Sequence, residues 1–335
     1  MKRWFAVAAF ALAWPCVASA QQPAPHAIDI PPWFTESFLD FREDIRDASR
    51  GGRRLLIYFG QDGCPYCQQL MLTNFSQRAI VDKTRRHFVA VALNLWGDRE
   101  VTWLDGRTMR EKDLGRALQV QFTPTLLFFD EKGQVVVRLN GYYPPNRFAA
   151  VLDYVAAKKE HQEPLADFLA RTAKDTASAR LNAQPFFLNV PYDLRRVPGG
   201  KPLVVLFESA YCAPCDEMHG EGFARSDVAA LLARFDVVQF ALGAPTPVTT
   251  PDGRTMTAGA LARELRVAYT PTLVFFDTRG VEVFRIDAYL RPFHLASSLD
   301  YVATGAYLTE PSFQRFIQAR ADRLRARGER VDLWK

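Results

Sequence analysis

Short apolar runs alternate with amphipathic stretches along this chain, and the whole alternation occurs twice. "RLLIYF" at 54–59 and "FVAVAL" at 88–93 are bounded apolar runs, the pattern of strands buried on both faces. "TLLFF" at 125–129 and "VVVRL" at 135–139 flank turn residues at 130–133 and predict a hairpin. Helical spacing fills the intervals. Phe38, Phe41, Ile45 and Ala48 recur at steps of 3, 4 and 3 before Gly51-Gly52 stops the pattern. Thr108 opens a second helix, with Glu111 in a capping-box position and Leu114 and Leu118 on the inner face. Phe148, Val151, Leu152 and Val155 mark a third. A further helix starts at Glu163-Pro164, where proline suits the first turn. "PLVVLF", "FDVVQF", "TLVFF", "VEVFRI" and Glu310-Pro311 repeat the series. Strand–helix alternation that closes in a hairpin and a helix predicts an α/β fold, a mixed sheet with helices on both faces.

The repetition extends to identical words. "DGRTM" begins at Asp105 and Asp252, "TPTL" at Thr123 and Thr270, "FFD" at Phe128 and Phe275, and "LDYVA" at Leu152 and Leu299, each offset by 147. Two Cys-x-x-Cys motifs, at Cys64–Cys67 and Cys212–Cys215, are offset by 148. One unit is therefore duplicated in tandem. The first copy with its trailing helix is expected over 31–183 and the second over 184–335.

The first twenty residues stand apart. Lys2 and Arg3 precede an apolar run from Trp4 to Trp14, Pro15 breaks it, and Ala18-Ser19-Ala20 is a cleavage signal. This is the pattern of a secretory signal peptide cleaved after Ala20, followed by a Pro-rich leader over 21–30. No later run is long and apolar enough to span a bilayer. Removal of Lys2 and Arg3 lowers the formal charge from +5 to +3, which makes no case for nucleic acid. It also removes Cys16, leaving four cysteines, all inside the two motifs. An exported disulfide scaffold would spread its cysteines, so this core holds by burial, for which 48% hydrophobic residues suffice.

A Cys-x-x-Cys pair opening a helix has a chemical use. Only the thiolate attacks a disulfide, and the free N–H groups and dipole of a helix start stabilise it, lowering such a thiol's pKa to about 3.5–7.5. Cys64 and Cys212 are expected to be the exposed nucleophiles, with Cys67 and Cys215 one turn deeper to resolve the mixed disulfide. Pro65 follows the first nucleophile directly, whereas Pro214 sits one place later, so the two loops should differ. Structural zinc needs two more ligands, and only His87 is near in the first copy. In the second, C-x-x-C-x-x-M-H with Met218 and His219 could hold Cu(I). The simpler reading packs Met218 inward and leaves His219 solvated. No cofactor or metal is assigned.

Thr123-Pro124 and Thr270-Pro271 each follow their motif by about sixty residues, between a helix and a strand. Together with the two motifs they resemble the thioredoxin fold, found here as two tandem thioredoxin-like domains. The resemblance implies cis prolines packed on the redox sulfurs, with the preceding residue pairing an extended substrate. "GCPYCQQL", "LNLWGDREVT", "FTPTLLFFDEKG" and "GYYPPNRF" are similar to SoxW-like periplasmic thioredoxins. That family implies a thiol–disulfide oxidoreductase that reduces exported cysteine-bearing proteins in the periplasm, drawing electrons from a membrane carrier of the DsbD or CcdA kind.

Departures from the thioredoxin pattern bear on the mechanism. Gly63 and Tyr211 replace the usual Trp before the motif, and Tyr58 and Leu206 replace the buried Asp. Glu208 could substitute in proton transfer, where the first copy has Gly60. Gly141, expected near the site after the last strand, becomes Ala288. Trp96 and Trp103 are groove-lining or packing residues, and the arginine-rich C-terminal helix, interleaved with Asp322 and Glu329, reads as a solvated face. Rival readings are a disulfide oxidase or isomerase, and a copper- or peptide-binding module of the same fold.

Overall fold

The computed structural model describes residues 27–173, 176–197 and 199–333. The expected signal peptide and the leader up to residue 26 lie outside the described residues. The first half runs α1 (Phe41–Arg50), β1 (Arg54–Gly60), α2 (Pro65–Gln69), α3 (Arg78–His87), β2 (Phe88–Asn94), β3 (Glu100–Thr102), β4 (Thr108–Arg110), α4 (Glu111–Ala117), β5 (Thr125–Phe129), β6 (Val135–Asn140), α5 (Pro145–Ala156) and α6 (Leu165–Thr172). The second half runs β7 (Tyr192–Asp193), β8 (Leu203–Glu208), α7 (Ala213–Glu217), α8 (Ser226–Leu232), β9 (Asp236–Ala241), β10 (Pro247–Thr249), β11 (Thr255–Thr257), α9 (Ala258–Glu264), β12 (Thr272–Phe276), β13 (Glu282–Ile286), α10 (Pro292–Ala303) and α11 (Phe313–Ala326). Helices α2 and α7 each continue into a wider π turn, Leu70–Asn74 and Met218–Phe223.

Each half holds a four-stranded sheet, in the orders β2-β1-β5-β6 and β13-β12-β8-β9. Strands β1 and β2 are parallel, as are β8 and β9, and the remaining pairs are antiparallel. Alternate residues of a strand face opposite ways. Leu55, Ile57 and Phe59 accordingly join α1 and α4 in one cluster, while Leu56 and Tyr58 join the other face. Leu203, Val205 and Phe207 form the matching outer cluster of the second half. The inner faces of both sheets feed a single apolar cluster that runs through both halves.

Three sequence expectations need correction. Phe38 is fully exposed, because α1 starts only at Phe41, after Asp40 accepts the Arg42 N–H as its cap. Leu39 takes the buried place, with φ at 63°. Thr108 opens no helix; it pairs with Thr102 in a hairpin, and Glu111 turns inward to accept the Asn94 N–H at 3.1 Å. In the second half Thr257 does cap its helix, accepting the Ala260 N–H at 3.1 Å. Pro311 lies before its helix, whose cap is Ser312, and Pro164 is itself the cap residue of α6.

The two halves meet through equivalent positions. The Asn140 amide donates to the Asp287 carboxylate at 2.8 Å, and these residues are 147 apart. A Cβ on Gly141 would lie 3.2 Å from Ala288 Cβ, its own counterpart. Beside them the Tyr143 hydroxyl donates to the Asp287 carbonyl at 3.0 Å, and its ring centroid lies 4.0 Å from that of Tyr269. Helix α11 then crosses back to the first half, where Phe313 packs on Phe122.

Candidate redox sites

Both motifs sit where a central strand ends and a helix begins. Cys64 and Cys212 are the N-caps of α2 and α7, and each sulfur accepts the N–H of the motif's second cysteine, at 3.0 and 3.2 Å. Disulfides join Cys64 to Cys67 and Cys212 to Cys215. The residue before each motif has positive φ, 73° at Gly63 and 56° at Tyr211. Glycine adopts this conformation without steric cost, whereas tyrosine is strained in it.

The Thr-Pro pairs close over these disulfides, and both peptide bonds are cis, as the resemblance implied. The Thr123 carbonyl oxygen lies 3.3 Å from Cys64 Sγ, and the Thr270 carbonyl 3.5 Å from Cys212 Sγ. The threonine hydroxyls part company. Thr123 Oγ1 donates to Cys64 Sγ at 3.3 Å, while Thr270 Oγ1 is engaged with Ser209 Oγ at 2.8 Å. A third cis bond, Val190–Pro191, was not foreseen.

Cys64 and Cys212 are not exposed, contrary to expectation: they show 3% and 1% of their surfaces. Cys67 and Cys215 are buried as expected. Cys64 lies at the foot of a cleft of about 750 Å³ between the two halves. Trp96 and Gly141 line it from the first half, and Leu290, His294 and Gln314 from the second. The Trp96 ring N–H donates to Gln61 Oε1 at 2.5 Å, which fixes one rim. Trp103 packs between Phe41 and Phe129, away from the site. On the far wall Tyr66 accepts the Arg291 N–H at 2.8 Å and meets the His294 ring edge-on. Burial, and then the Arg291 charge, lower the His294 pKa to about 4.

The second site is overlain by the connecting segment. Ser178 O accepts the Tyr211 N–H at 2.7 Å, and Asp216, next after Cys215, accepts the Ser178 N–H and the Asn182 amide at 2.8 and 2.6 Å. Beneath lies Glu208, wholly buried at the end of β8, within 3.1 Å of His219 Nε2 and accepting also from Gln239. His219 is itself buried, not solvated, and its Nδ1 is taken by Gln184 at 3.0 Å. With both ring nitrogens engaged it offers copper no lone pair. Met218 packs inward at 1% exposure. The first copy answers this hydrogen-bonded pair with Gly60 and Met71, and a Cβ at 60 would overlap the Tyr58 hydroxyl. Tyr58 and Glu208 thus fill comparable space in alternative ways.

A family profile described as a thioredoxin-like domain matches this chain twice, over residues 41–156 and 195–303. The chain belongs to the thioredoxin-like family. Among solved structures it is similar to a thioredoxin-fold protein from Helicobacter pylori, at 25% identity over 40% of this chain and 91% of that one, TM-score 0.31. A thioredoxin from Thermus thermophilus is 27% identical over 36% and 85%, TM-score 0.28, and a DsbH oxidoreductase 17% identical over 42% and 92%, TM-score 0.28. No curated protein matches the chain. Thioredoxin-like domains with paired cysteines support thiol–disulfide redox chemistry at both motifs. Of the described residues, no helix is long and apolar enough to cross a membrane.

Sequence reasoning singled out His219 but missed its pairing with Glu208, and it missed Gln239 and the connecting segment at the second thioredoxin-like site and the part α11 plays at the first. A signal for the inward place of His219 existed, since it stands four residues after Cys215 and such residues share a helix face.

Proposed function

We propose that this protein is a periplasmic thiol–disulfide oxidoreductase that reduces exported cysteine-bearing proteins through two dithiol centres. The observation that carries this reading is the threonine carbonyl before a cis proline set against the first cysteine of both motifs, at 3.3 and 3.5 Å. In the reduced chain the Cys64 thiolate attacks a substrate disulfide and displaces one substrate sulfur as thiolate. Cys67 then attacks Cys64 Sγ, releases the second substrate thiolate and leaves the Cys64–Cys67 disulfide, so two electrons pass to the substrate. Cys212 and Cys215 perform the same steps. The residue pairs Thr123-Pro124 and Thr270-Pro271 hold the substrate main chain.

Glu208, with His219 on the helix face of Cys215, stores the proton that the resolving thiol gives up. The dithiols are restored by a membrane electron carrier of the DsbD or CcdA kind. Residues 1–20 direct export, a leader follows over 21–30, and the two domains with their trailing helices occupy 31–183 and 184–335. The resemblance of the first copy to SoxW-like thioredoxins supports the reducing direction.

The direction is tested by equilibrating the full chain, with one cysteine pair at a time replaced by serine, in glutathione buffers. A reductase gives potentials near about −270 mV, whereas values near about −180 or −120 mV indicate an isomerase or an oxidant and overturn the reducing assignment.

A further inference from the structure

The cleft over Cys64 speaks to the form in which a substrate arrives. We infer that the first site takes its substrate as an unfolded, extended chain segment and excludes disulfides on the surface of folded domains. The inference rests on the reading of Cys64–Cys67 as a thiol–disulfide exchange centre.

Access is the first consideration. A protein partner docking on a folded surface covers about 800 Å² per side. The surface around Cys64 that would supply such an area is already occupied by the second half. Asn140, Gly141 and Tyr143, which surround the end of β6, are spent on Asp287, Ala288 and Tyr269. What remains open is about 750 Å³, the size of a pocket for a small ligand or a few residues of one extended strand.

The wall that narrows the cleft is held by specific bonds. Gln61 donates to Gln314 Oε1 at 2.9 Å, Gln314 donates to the Gln121 carbonyl at 2.9 Å, and the Phe313 N–H reaches Gln121 Oε1 at 3.0 Å. The first turn of α11 is therefore tied to the approach to Cys64 on one side and to the loop before Thr123 on the other. Amides also suit the occupant. An extended strand carries unpaired N–H and C=O groups that need partners when they enter a cleft. Gln318, exposed on the cleft, offers an amide for them, the Gln61 and Gln314 amides being bound into the wall, while Trp96 and Leu290 offer apolar contact to alternate side chains. Asp62 and Arg325 line the same cleft with opposite charges, so little selection by net charge is expected.

The chemistry is the exchange described above, with the substrate disulfide in a flexible chain. The test uses the full chain with Cys212 and Cys215 replaced by serine, reduced with dithiothreitol and freed of it. Stopped-flow rates are compared for a linear peptide carrying one glutathione mixed disulfide and for a folded protein carrying the same mixed disulfide at a surface cysteine. The peptide is expected to react at least tenfold faster. Gln314→Ala with Ile317→Ala, which lowers the wall, should bring the ratio toward one. Gln318→Trp, at an exposed position that leaves the fold alone, should fill the cleft and slow the peptide about tenfold. Equal rates on both substrates, or a ratio indifferent to all these variants, would overturn the inference while leaving the exchange reading intact. Reaction with neither substrate would overturn the exchange reading itself.

Discussion

The site at Cys64 and the site at Cys212 share one geometry and differ in what surrounds it. The first opens into a cleft, with the Thr123 hydroxyl on the sulfur and an uncharged Tyr58–Gly60 arrangement beneath. The second lies under the connecting segment, with its threonine hydroxyl drawn off by Ser209 and a Glu208–His219 pair below. The lesson is that a duplicated motif preserves the backbone cradle, which every exchange step requires. The groups that set thiolate stability, proton supply and access have diverged.

The largest test of this contrast removes the buried pair. His219→Met, which installs the first copy's residue, leaves Glu208 with Gln239 alone. Removing one partner of a buried hydrogen-bonded pair leaves the other group unsatisfied and costs about 1–3 kcal/mol, more where that group is charged. Chemical denaturation should show that loss, and Glu208→Gln added to His219→Met should restore a large part. An unchanged midpoint in the single variant would mean that the pair is dispensable.

Next comes the division of labour. Replacing a resolving cysteine leaves attack intact and blocks release. Cys67→Ser should accumulate mixed disulfides with exported proteins, and Cys215→Ser should trap fewer of them and relatively more of the electron donor or the first domain. Equal capture of the same proteins, read by non-reducing gels and mass spectrometry, would make the sites redundant.

A smaller effect separates the two threonines. A hydrogen bond to a charged acceptor contributes about 1.5–3 kcal/mol. Thr123→Val should therefore shift the pH dependence of Cys64 alkylation upward by about one to two units, whereas Thr270→Val should barely move that of Cys212. Equal shifts would show that the hydroxyl contrast has no chemical consequence.

His294 on the cleft wall titrates below its ordinary value, at about 4, chiefly because it is buried. With an unfolded value near 6.5, the unfolded chain binds the extra proton first. The stability tied to neutral His294 is complete above that value and is lost as pH falls from about 6.5 toward 4. His294→Gln should flatten the decline in melting temperature between pH 6.5 and 5. The smallest effect is local: Tyr211→Gly relieves a left-handed tyrosine and should stabilise the second half by about 1 kcal/mol. No gain in the unfolding midpoint would mean that the strain is offset by the greater chain freedom glycine has in the unfolded state.

The fold and the redox residues were legible because their signals are local. Continuous apolar runs mark strands, a Cys-x-x-Cys motif announces itself within four residues, and the repeated words exposed the duplication. Comparison of the copies also singled out Glu208 against Gly60. The expectation of exposed nucleophiles failed for the opposite reason. What covers Cys64 comes from Leu290, His294 and Gln314, more than two hundred residues away, and glutamines and leucines at such positions carry no pattern. Phe38 was misplaced because its spacing fits a helix that the Asp40 cap begins later.

The contact of Asn140 with Asp287 and of Gly141 with Ala288 joins positions that descend from the same residue. Such self-matching is the signature of a two-fold homodimer, whose halves separate when the protein is diluted. Here both partners belong to one polypeptide, so the contact is governed by the effective concentration that the connecting segment imposes. Its occupancy is therefore independent of how much protein the cell makes, and the cleft above Cys64 keeps its second wall at the lowest expression level.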